Sequence, residues 1–360
     1  MKSTHDVTAD SYLVTHFVDE GSTGGRLDSF LKARYRHRSR QQIQAAIDEG
    51  IVTIKRAKGA HLQLGKIKAS LQLQGGDEVL VLSERRPEPK VCFDYKTIYE
   101  DDHLMVIEKP ANLPVHPSGR YFFNTLLIHL RTQGHKTPLG ADREYFLPHR
   151  IDKETSGVLC LARGREACAA LVKQFVERST EKRYLAVVHG IPPEEFRVDA
   201  PLMRAKNSEI ALKMAVGTLE EGAQTALTTF KRLETHTNSF GTFSLVECFP
   251  KTGRQHQIRV HLDHAGHPIL GDKLYGMPDR EATSYYERKH LTPEAQARLI
   301  IPRHALHAAS LEFEHPVTLE RMSFDSGLPE DLRGFLDGTY TPAPFDEFEV
   351  YEAPELLPVD

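Results

Sequence analysis

One polar stretch of the 360-residue chain decides how the rest is interpreted: His149-Arg150-Ile151-Asp152-Lys153-Glu154-Thr155-Ser156-Gly157. It follows a proline-rich loop and precedes the apolar run 158–162, which we predict to be a buried strand. A polar loop that feeds a buried strand is a common place for a functional site, because the sheet fixes the loop's geometry. Asp152 lies between Arg150 and Lys153, so its carboxylate would stay ionised, which suits a nucleophile. Local sequence alone is explained more simply by a turn-capping aspartate.

A second basic cluster spans residues 251–261, Lys-Thr-Gly-Arg-Gln-His-Gln-Ile-Arg-Val-His. Its Thr-Gly pair predicts a turn, which places Arg254 at the start of a helix over 255–265 and lets it project toward a carboxylate or a phosphate. Arg259 lies more than a turn further along, and two ordinary surface arginines are the alternative. The local histidines lack the spacing and the partners of a zinc site, so no metal is predicted; they are His256, His261, His264 and His267.

The segments around both clusters predict a mixed domain in which strands dominate. Residues 97–99 and 104–107 flank a short turn, which is typical of a β-hairpin. Further strands are predicted at 158–162, 184–188, 225–233 and 243–249, and helices at 126–130 and 165–177. Because strands and helices do not alternate regularly, a parallel doubly wound sheet is not expected.

The segment 24–90 carries fourteen Lys or Arg and seven Asp or Glu, a balance of +7, which is typical of a domain that binds a polyanion. Two helices are predicted here, and Ser39 with Gln42 forms the S-x-x-Q capping box of the second. Free N–H groups at that helix start favour phosphate. The arginines nearby are Arg34, Arg36, Arg38 and Arg40, and Arg26 precedes the first helix. The order helix, helix, strand over 24–83 resembles the alpha-L RNA-binding motif of a small-subunit ribosomal protein and some aminoacyl-tRNA synthetases.

The two ends of the chain differ from this basic segment. Residues 1–23 are predicted to be an N-terminal extension, and 84–95, with Pro87 and Pro89, to be a linker. Residues 329–360 contain nine acids, one base and five prolines, so we predict a poorly ordered acidic C-terminal extension.

Composition and missing motifs narrow the function classes. The sequence has no run of eighteen apolar residues, so no membrane span is predicted. No signal peptide is evident. Four scattered cysteines predict neither a disulfide framework nor a zinc ribbon, which favours the cytoplasm. Glycine-rich nucleotide motifs and G-x-S-x-G are missing from the sequence, so neither a nucleotide cofactor nor a serine hydrolase is predicted.

Several motifs in the right order make the chain similar to the RluA-type pseudouridine synthases from about residue 99 to residue 316. Residues 149–157 resemble the family pattern H-R-L-D-x-x-T-S-G, with Ile151 in place of leucine. Residues 182–190 resemble the strand K-x-Y-x-A-x-V-x-G. The segments 100–117, 250–272 and 306–316 also follow the family pattern.

The resemblance implies an α+β domain over 96–328, with a mixed, largely antiparallel sheet and flanking helices, the pseudouridine synthase fold. A small N-terminal α/β domain, the alpha-L motif, would be tethered before it. The resemblance further implies that Asp152 isomerises uridine, that Arg254 pairs with it, and that Tyr184 stacks on the target base. Arg150 would fill the gap left by the flipped-out uridine.

The implied partner is RNA, bound by Arg150, Arg259 and the arginines of the N-terminal segment, with no cofactor, no membrane contact and a monomeric chain. Ribosomal RNA and tRNA both stay open, although the segment 115–126 tilts the prediction slightly toward tRNA. One alternative is a non-catalytic RNA-binding or ribosome-assembly protein with a degenerate synthase domain. A glycoside hydrolase is the third hypothesis, but no second paired acid is evident.

Overall fold

The computed structural model describes residues 3–7, 11–36, 38–56, 67–84, 88–119, 121–133, 144–288, 291–341 and 345. The N-terminal part contains two helices and four strands: β1 (Ser3–Val7), β2 (Ser11–Phe17), α1 (Leu27–Arg34), α2 (Arg40–Asp48), β3 (Val52–Lys55) and β4 (Glu78–Glu84). The strands form an antiparallel sheet in the order β1-β2-β4-β3. The predicted capping box is confirmed, because Ser39 Oγ accepts the Gln42 N–H at 3.1 Å and Gln42 Oε1 accepts the Ser39 N–H at 2.8 Å.

The predicted boundary at residue 24 is wrong. Strand β2 pairs with β4 along its whole length, from Ser11 opposite Glu84 to Phe17 opposite Glu78. Residues that we assigned to an extension therefore supply two strands of the N-terminal sheet. The cause is long-range pairing with β4, which local composition does not reveal.

The remainder of the chain builds a much larger sheet with flanking helices. Its strands are β5 (Lys96–Glu100), β6 (Leu104–Lys109), β7 (Tyr145–Phe146), β8 (Ser156–Arg163), β9 (Glu181–His189), β10 (Glu195–Asp199), β13 (Leu227–Asn238), β14 (Gly241–Pro250), β15 (Leu306–Glu314) and β16 (Arg321–Asp325), with β11 (Leu202–Arg204) and β12 (Met214–Val216) forming a separate hairpin. Its helices are α3 (Leu126–Gln133), α4 (Arg165–Glu177), α5 (Gln257–His264), α6 (Asp279–Arg288), α7 (Pro293–Leu299) and α8 (Glu330–Leu336).

The large sheet is mixed and largely antiparallel, as predicted. Its strand order is β10-β13-β14-β9-β15-β8-β6-β5, with β16 beside β15 and β7 beside β8. Of the described pairings, β8 with β15 is parallel and the others are antiparallel. Every residue of β8 is buried, so the predicted strand 158–162 is central and holds the loop before it firmly.

Gly157 explains why glycine closes the polar stretch. Its φ is +109°, a conformation that side chains with a Cβ rarely adopt. A Cβ built there would overlap the carbonyl oxygen of Ala308 on the parallel strand β15. The glycine thus permits the close approach of β8 and β15 directly behind residues 149–156.

The acidic C-terminal segment is partly folded, which corrects the boundary at residue 328. Helix α8 buries Leu332, Phe335 and Leu336 against the core formed by β9, β14 and α5. Arg303 also makes a bidentate ion pair with Asp331, at 2.7 and 2.9 Å. The apolar spacing i, i+3, i+4 outweighs the charge and prolines on which we based the prediction. Apart from residue 345, the segment 342–360 lies outside the described residues.

The N-terminal sheet packs directly against helix α3 and the residues just before it. Tyr12 and Val14 of β2 are buried against Phe123 and Ile128. The linker residue Glu88 accepts hydrogen bonds from three successive backbone N–H groups, of residues 122, 123 and 124, at 3.0, 2.9 and 2.8 Å. The predicted linker is therefore anchored to the segment that precedes α3. No helix among the described residues is long and apolar enough to cross a membrane.

Candidate active site

The loop that carries Asp152 is held by buried contacts on both sides. Thr155 donates its backbone N–H to the Asp152 carbonyl at 3.1 Å, which closes a turn. The Lys109 ammonium is fully buried and donates to the carbonyl oxygens of Pro110, Leu113 and Lys153 at 2.8, 3.0 and 3.0 Å. These contacts fix the backbone of the loop and leave the Asp152 side chain directed into a cleft.

Arg259 links Asp152 to a second, fully buried carboxylate. Its Nη1 donates to Asp152 Oδ2 at 2.8 Å. Its Nε and Nη2 donate to the two oxygens of Asp272 at 2.7 and 2.9 Å. Asp272 is itself held by the backbone N–H groups of Leu274 and Tyr275, at 2.9 and 3.1 Å. A guanidinium with this bidentate anchor is fixed in orientation, so it presents one N–H to Asp152.

Asp152 is ionised in this setting. Burial acts to raise the pKa of its carboxyl, but the charges of His256 and Arg259 hold that pKa well below its usual range. Burial lowers the pKa of His256 to about 4, so near neutral pH the histidine is uncharged and Arg259 is the cation that matters. Oδ1 of Asp152 makes no hydrogen bond to a described residue, and 21% of the side chain is exposed to the cleft. One carboxylate oxygen is therefore free to react.

His256 sits beside this pair in an unusual backbone conformation. Its φ is +55°, and it is the residue immediately before α5, with no side-chain hydrogen bond to the helix start. Tyr275 Oη accepts the Met214 N–H at 3.0 Å and lies 2.9 Å from His256 Nδ1. We assign the hydrogen of the neutral ring to Nε2, because Nδ1 can then accept the phenol proton of Tyr275. That Nε2 faces Asp152 Oδ2 at 4.0 Å.

The structure contradicts the predicted pair of Arg254 with Asp152. Arg254 lies in the turn before α5 and donates Nε to the Thr225 carbonyl at 3.2 Å, although its side chain does line the cleft. Helix α5 begins at Gln257 and not at residue 255, so the residue that points inward from its first turn is Arg259. Arg259 is 5% exposed, which also contradicts its prediction as an RNA-contacting residue.

Tyr184 lies in the same cleft on strand β9, between Cys248 of β14 and Ala308 of β15. Its hydroxyl makes no hydrogen bond to any residue that the structure describes. Burial and the nearby Asp152 charge raise the pKa of Tyr184 well above its usual range. Near neutral pH the side chain is therefore an uncharged phenol whose ring is available to the cleft.

The cleft has a volume of about 470 Å³ and is strongly cationic. Five basic side chains line it in addition to Arg259: Arg150, Arg178, Lys182, Lys251 and Arg254. Asp152 is the single carboxylate among the described residues of the lining. Arg150 is exposed at the edge of the cleft, and its Nη1 lies 3.3 Å from His116 Nε2. A cationic cleft of this size fits an extruded nucleotide of a polyanion.

A second layer of buried charges supports the loop from behind and was not predicted. Glu154 pairs with Lys273 at 2.7 Å and accepts the His304 backbone N–H at 3.0 Å. His304 Nε2 in turn lies 2.8 Å from Thr155 Oγ1. Burial acts to raise the pKa of the Glu154 carboxyl. The charges of Lys273 and His304 act more strongly in the opposite direction and lower that pKa to about 2. Such pairings join residues about 120 to 150 positions apart, which local sequence patterns do not reveal.

The arginines of the N-terminal part fall into two groups. Some are exposed around the start of α2, and the others are buried or already form an ion pair. Arg36 and Arg40 are exposed around the start of α2, as predicted. Arg26 is exposed but makes a bidentate ion pair with Asp28, at 3.0 and 2.6 Å. Arg38 is only 6% exposed, and its guanidinium lies 5.3 Å from the Tyr35 ring centroid. The prediction of Arg38 as an RNA contact is therefore contradicted by its burial.

Comparison with known proteins places this site in a family. A model of RNA pseudouridylate synthase matches residues 103–264. The chain is 34% identical over 330 residues to "Uncharacterized RNA pseudouridine synthase YlyB" of Bacillus subtilis (strain 168), which covers 89% of this chain and 96% of that protein. It is 33% identical over 318 residues to "Ribosomal large subunit pseudouridine synthase D" of Zymomonas mobilis, with 88% and 94% covered.

Solved structures agree with the sequence comparisons. The structure titled "Human RNA Pseudouridylate Synthase Domain Containing 4" has a TM-score of 0.51 and 30% identity, and covers 69% of this chain and 94% of that chain. The structure titled "Human RNA Pseudouridylate Synthase Domain Containing 1" has a TM-score of 0.52 at 25% identity, with 71% and 92% covered. With a charged carboxylate in a cationic cleft and relatives matched over nearly their full length, the chain belongs to the RNA pseudouridine synthases, isomerases that convert uridine to pseudouridine in RNA.

Proposed function

We propose that this pseudouridine synthase modifies uridine in large-subunit ribosomal RNA. The relatives named for the large ribosomal subunit support this substrate, since they match the chain over 86 to 90% of its length. The cationic cleft and the exposed Arg36 and Arg40 of the N-terminal part fit a polyanion. The earlier slight preference for tRNA rested on one loop and is replaced by this proposal.

The reaction that we assign to the cleft is redox-neutral. The bond between N1 of uracil and C1′ of the ribose breaks, the base turns in the cleft, and C5 forms the new bond to C1′. The proton on C5 is lost and N1 gains one, so atoms balance without a co-reactant. We assign to the free Oδ1 of Asp152 the attack on the sugar, either as a nucleophile at C1′ or as a base that gives a glycal. Its ionised state supports both routes.

The observation that carries the proposal is the anchored Asp152–Arg259–Asp272 array. A carboxylate that must react as an anion benefits from a cation that cannot move away, and the bidentate bond to Asp272 provides this. We assign Arg259, and not Arg254, as the positioning residue for Asp152. The raised pKa of Tyr184 favours stacking on the base over action as a phenolate.

We assign Arg150 to the gap that the flipped uridine leaves, because it is exposed at the edge of the cleft. The alternative of a degenerate, non-catalytic RNA-binding protein fits this site less well, since a non-catalytic domain has no need of an ionised carboxylate with an anchored counter-ion. A glycoside hydrolase would need a second carboxylate in the cleft lining. The alpha-L motif, a monomeric state and a cytoplasmic location stay predictions.

The test is a map of pseudouridines in a strain that lacks the protein. Total RNA from the deletion strain is treated with carbodiimide and read by primer extension along the large-subunit ribosomal RNA and the tRNAs. We expect one or more stops to vanish from the ribosomal RNA, to return with the wild-type chain, and not to return with Asp152→Asn. A loss confined to tRNA would overturn the assigned substrate. An unchanged map would overturn the activity.

A further inference from the structure

Helix α4 presents an unusual apolar edge to the mouth of the cleft. Val172 and Val176 both line the cleft, yet they are 38% and 75% exposed. They are four residues apart, so they lie one above the other on the same helix face. The face beside them is charged, since Lys173 and Glu177 form an i,i+4 ion pair at 3.8 Å. The helix therefore turns apolar groups, and not its charges, toward the substrate space.

The apolar edge is continuous with the floor of the cleft. Phe175 stacks on His149 with ring centroids 4.6 Å apart and an interplanar angle of 24°. His149 accepts the Cys160 N–H at 3.0 Å, so the stack is tied to strand β8. We call this continuous surface, from His149 through Phe175 to Val172 and Val176, the apolar wall.

Three cations follow immediately on the same side. Arg178 ends α4 with φ of +60°, and Lys182 and Lys251 line the cleft beside it. None of the three forms an ion pair with a described carboxylate. Burial and the charges of Arg178 and Lys251 lower the pKa of Lys182 below its usual range. A group of like charges without counter-ions, next to an apolar wall, is complementary to an anion joined to an apolar face.

We propose that this wall is a subsite for one unpaired nucleotide adjacent to the target uridine, with its base on Val172 and Val176 and its phosphate on Arg178 and Lys182. The inference rests on the proposed action on RNA. A paired base offers only its edge to a protein, whereas an unpaired base offers the apolar face that this wall fits. The enzyme would therefore prefer targets in loops where a neighbour of the uridine is also unpaired.

The experiment compares two synthetic RNA hairpins of equal length in the Asp152→Asn background, so that binding is measured without turnover. In one hairpin only the target uridine is bulged; in the other both of its neighbours are also unpaired, and each in turn is replaced by 2-aminopurine. The affinity for each hairpin is measured by fluorescence anisotropy, first with the Asp152→Asn protein and then with the same protein that also carries Val172→Ser/Val176→Ser. Val317→Ser/Leu319→Ser is the matched control, because those side chains are 55% and 69% exposed and lie off the cleft lining.

We expect the Val172→Ser/Val176→Ser change to weaken binding of the unpaired hairpin about tenfold and to abolish the 2-aminopurine response at one neighbour. Binding of the single-bulge hairpin and the behaviour of the control variant should not change. Equal affinities for both hairpins, or an equal loss for both, would overturn the subsite. Failure of the isomerase proposal would leave this binding difference intact, so the two outcomes are distinguishable. If the apolar wall instead binds an apolar peptide partner, the affinity for neither hairpin will depend on Val172 and Val176, and the proposed subsite is overturned.

Discussion

Replacing Arg259 by glutamine removes the cation that keeps Asp152 ionised. Three hydrogen bonds to two carboxylates are lost at once, and Asp272 is fully buried. Breaking a buried pair in this way costs about 3–5 kcal/mol of stability. Burial then dominates at Asp152, and because burial disfavours the charged form, the pKa of this carboxyl rises above its usual range.

The sign of the pH effect follows from the charge that the reaction needs. The folded wild type holds the pKa of Asp152 below its usual range, so its activity should not fall until the pH is strongly acidic. In Arg259→Gln the acidic side of the pH–rate profile, which we call the acid limb, should move to higher pH. Activity should therefore recover as the pH rises. Arg259→Lys should restore part of the activity, because an ammonium cannot make the bidentate bond to Asp272.

The assay is tritium release from RNA made with [5-³H]uridine, in single turnover from about pH 5 to about pH 9. Urea unfolding of each variant shows that it is folded at the assay temperature. The matched control is Arg254→Gln, which should weaken RNA binding and leave the acid limb in place, because the Arg254 side chain donates to the Thr225 carbonyl and not to Asp152. A displaced acid limb in Arg254→Gln together with an unchanged limb in Arg259→Gln would refute the reasoning.

Three further predictions concern RNA binding, packing and acid stability. Replacing both Arg36 and Arg40 by alanine should weaken RNA binding and reduce the slope of log affinity against log salt by roughly two, as measured by a salt titration. Gly157→Ala should leave little folded protein in a thermal melt, because the added Cβ overlaps the Ala308 carbonyl at positive φ. Glu154 has a folded pKa of about 2 against an ordinary 4.5, so its stabilisation is complete above pH 4.5 and is lost as the pH falls toward 2. That loss is about 3 kcal/mol and is measured by urea unfolding at the two ends of the range.

Each of these has a control within the chain. Arg197→Ala should leave the salt slope unchanged, since Arg197 is already paired with Asp199; an equal fall in slope would contradict the assigned contacts. Gly222→Ala should fold far better than Gly157→Ala, because nothing lies near its added Cβ; equal damage would implicate positive φ alone. Glu154→Gln should lose less stability in acid than the wild type, and an identical loss would assign that loss to other carboxylates.

Local patterns were sufficient to predict much of this architecture. The capping box at Ser39, the β5–β6 hairpin and helix α4 over 165–177 each depend on residues close in sequence, and the structure confirms them. The strand after Asp152 was predictable because a run of apolar residues bounded by polar ones is typical of a buried strand. The choice of residues 149–157 as the centre of the site depended on the resemblance, because a loop aspartate has many ordinary roles.

The features that could not be predicted depend on contacts between residues that are far apart in the sequence. The partner of Asp152 depended on where α5 begins, and the positive φ of His256 delays that start to Gln257, which turns Arg259 inward. Asp272 reaches Arg259 from a separate loop, which no local spacing predicts. Strand β2 was overlooked although the buried Tyr12 and Val14 alternate with partly exposed residues in the structure, because its partner β4 lies more than sixty residues away and Leu13 obscures the alternation in the sequence.

The central claim is that the ionised Asp152 carboxylate drives the isomerisation of uridine in RNA. The most direct test is tritium release by the purified full-length chain and by Asp152→Asn, on large-subunit ribosomal RNA transcribed with [5-³H]uridine, beside a binding isotherm for each protein. We predict release by the wild type in proportion to pseudouridine formed, no release by Asp152→Asn, and equal RNA affinity for the two. Release by Asp152→Asn within tenfold of the wild-type rate would contradict the account.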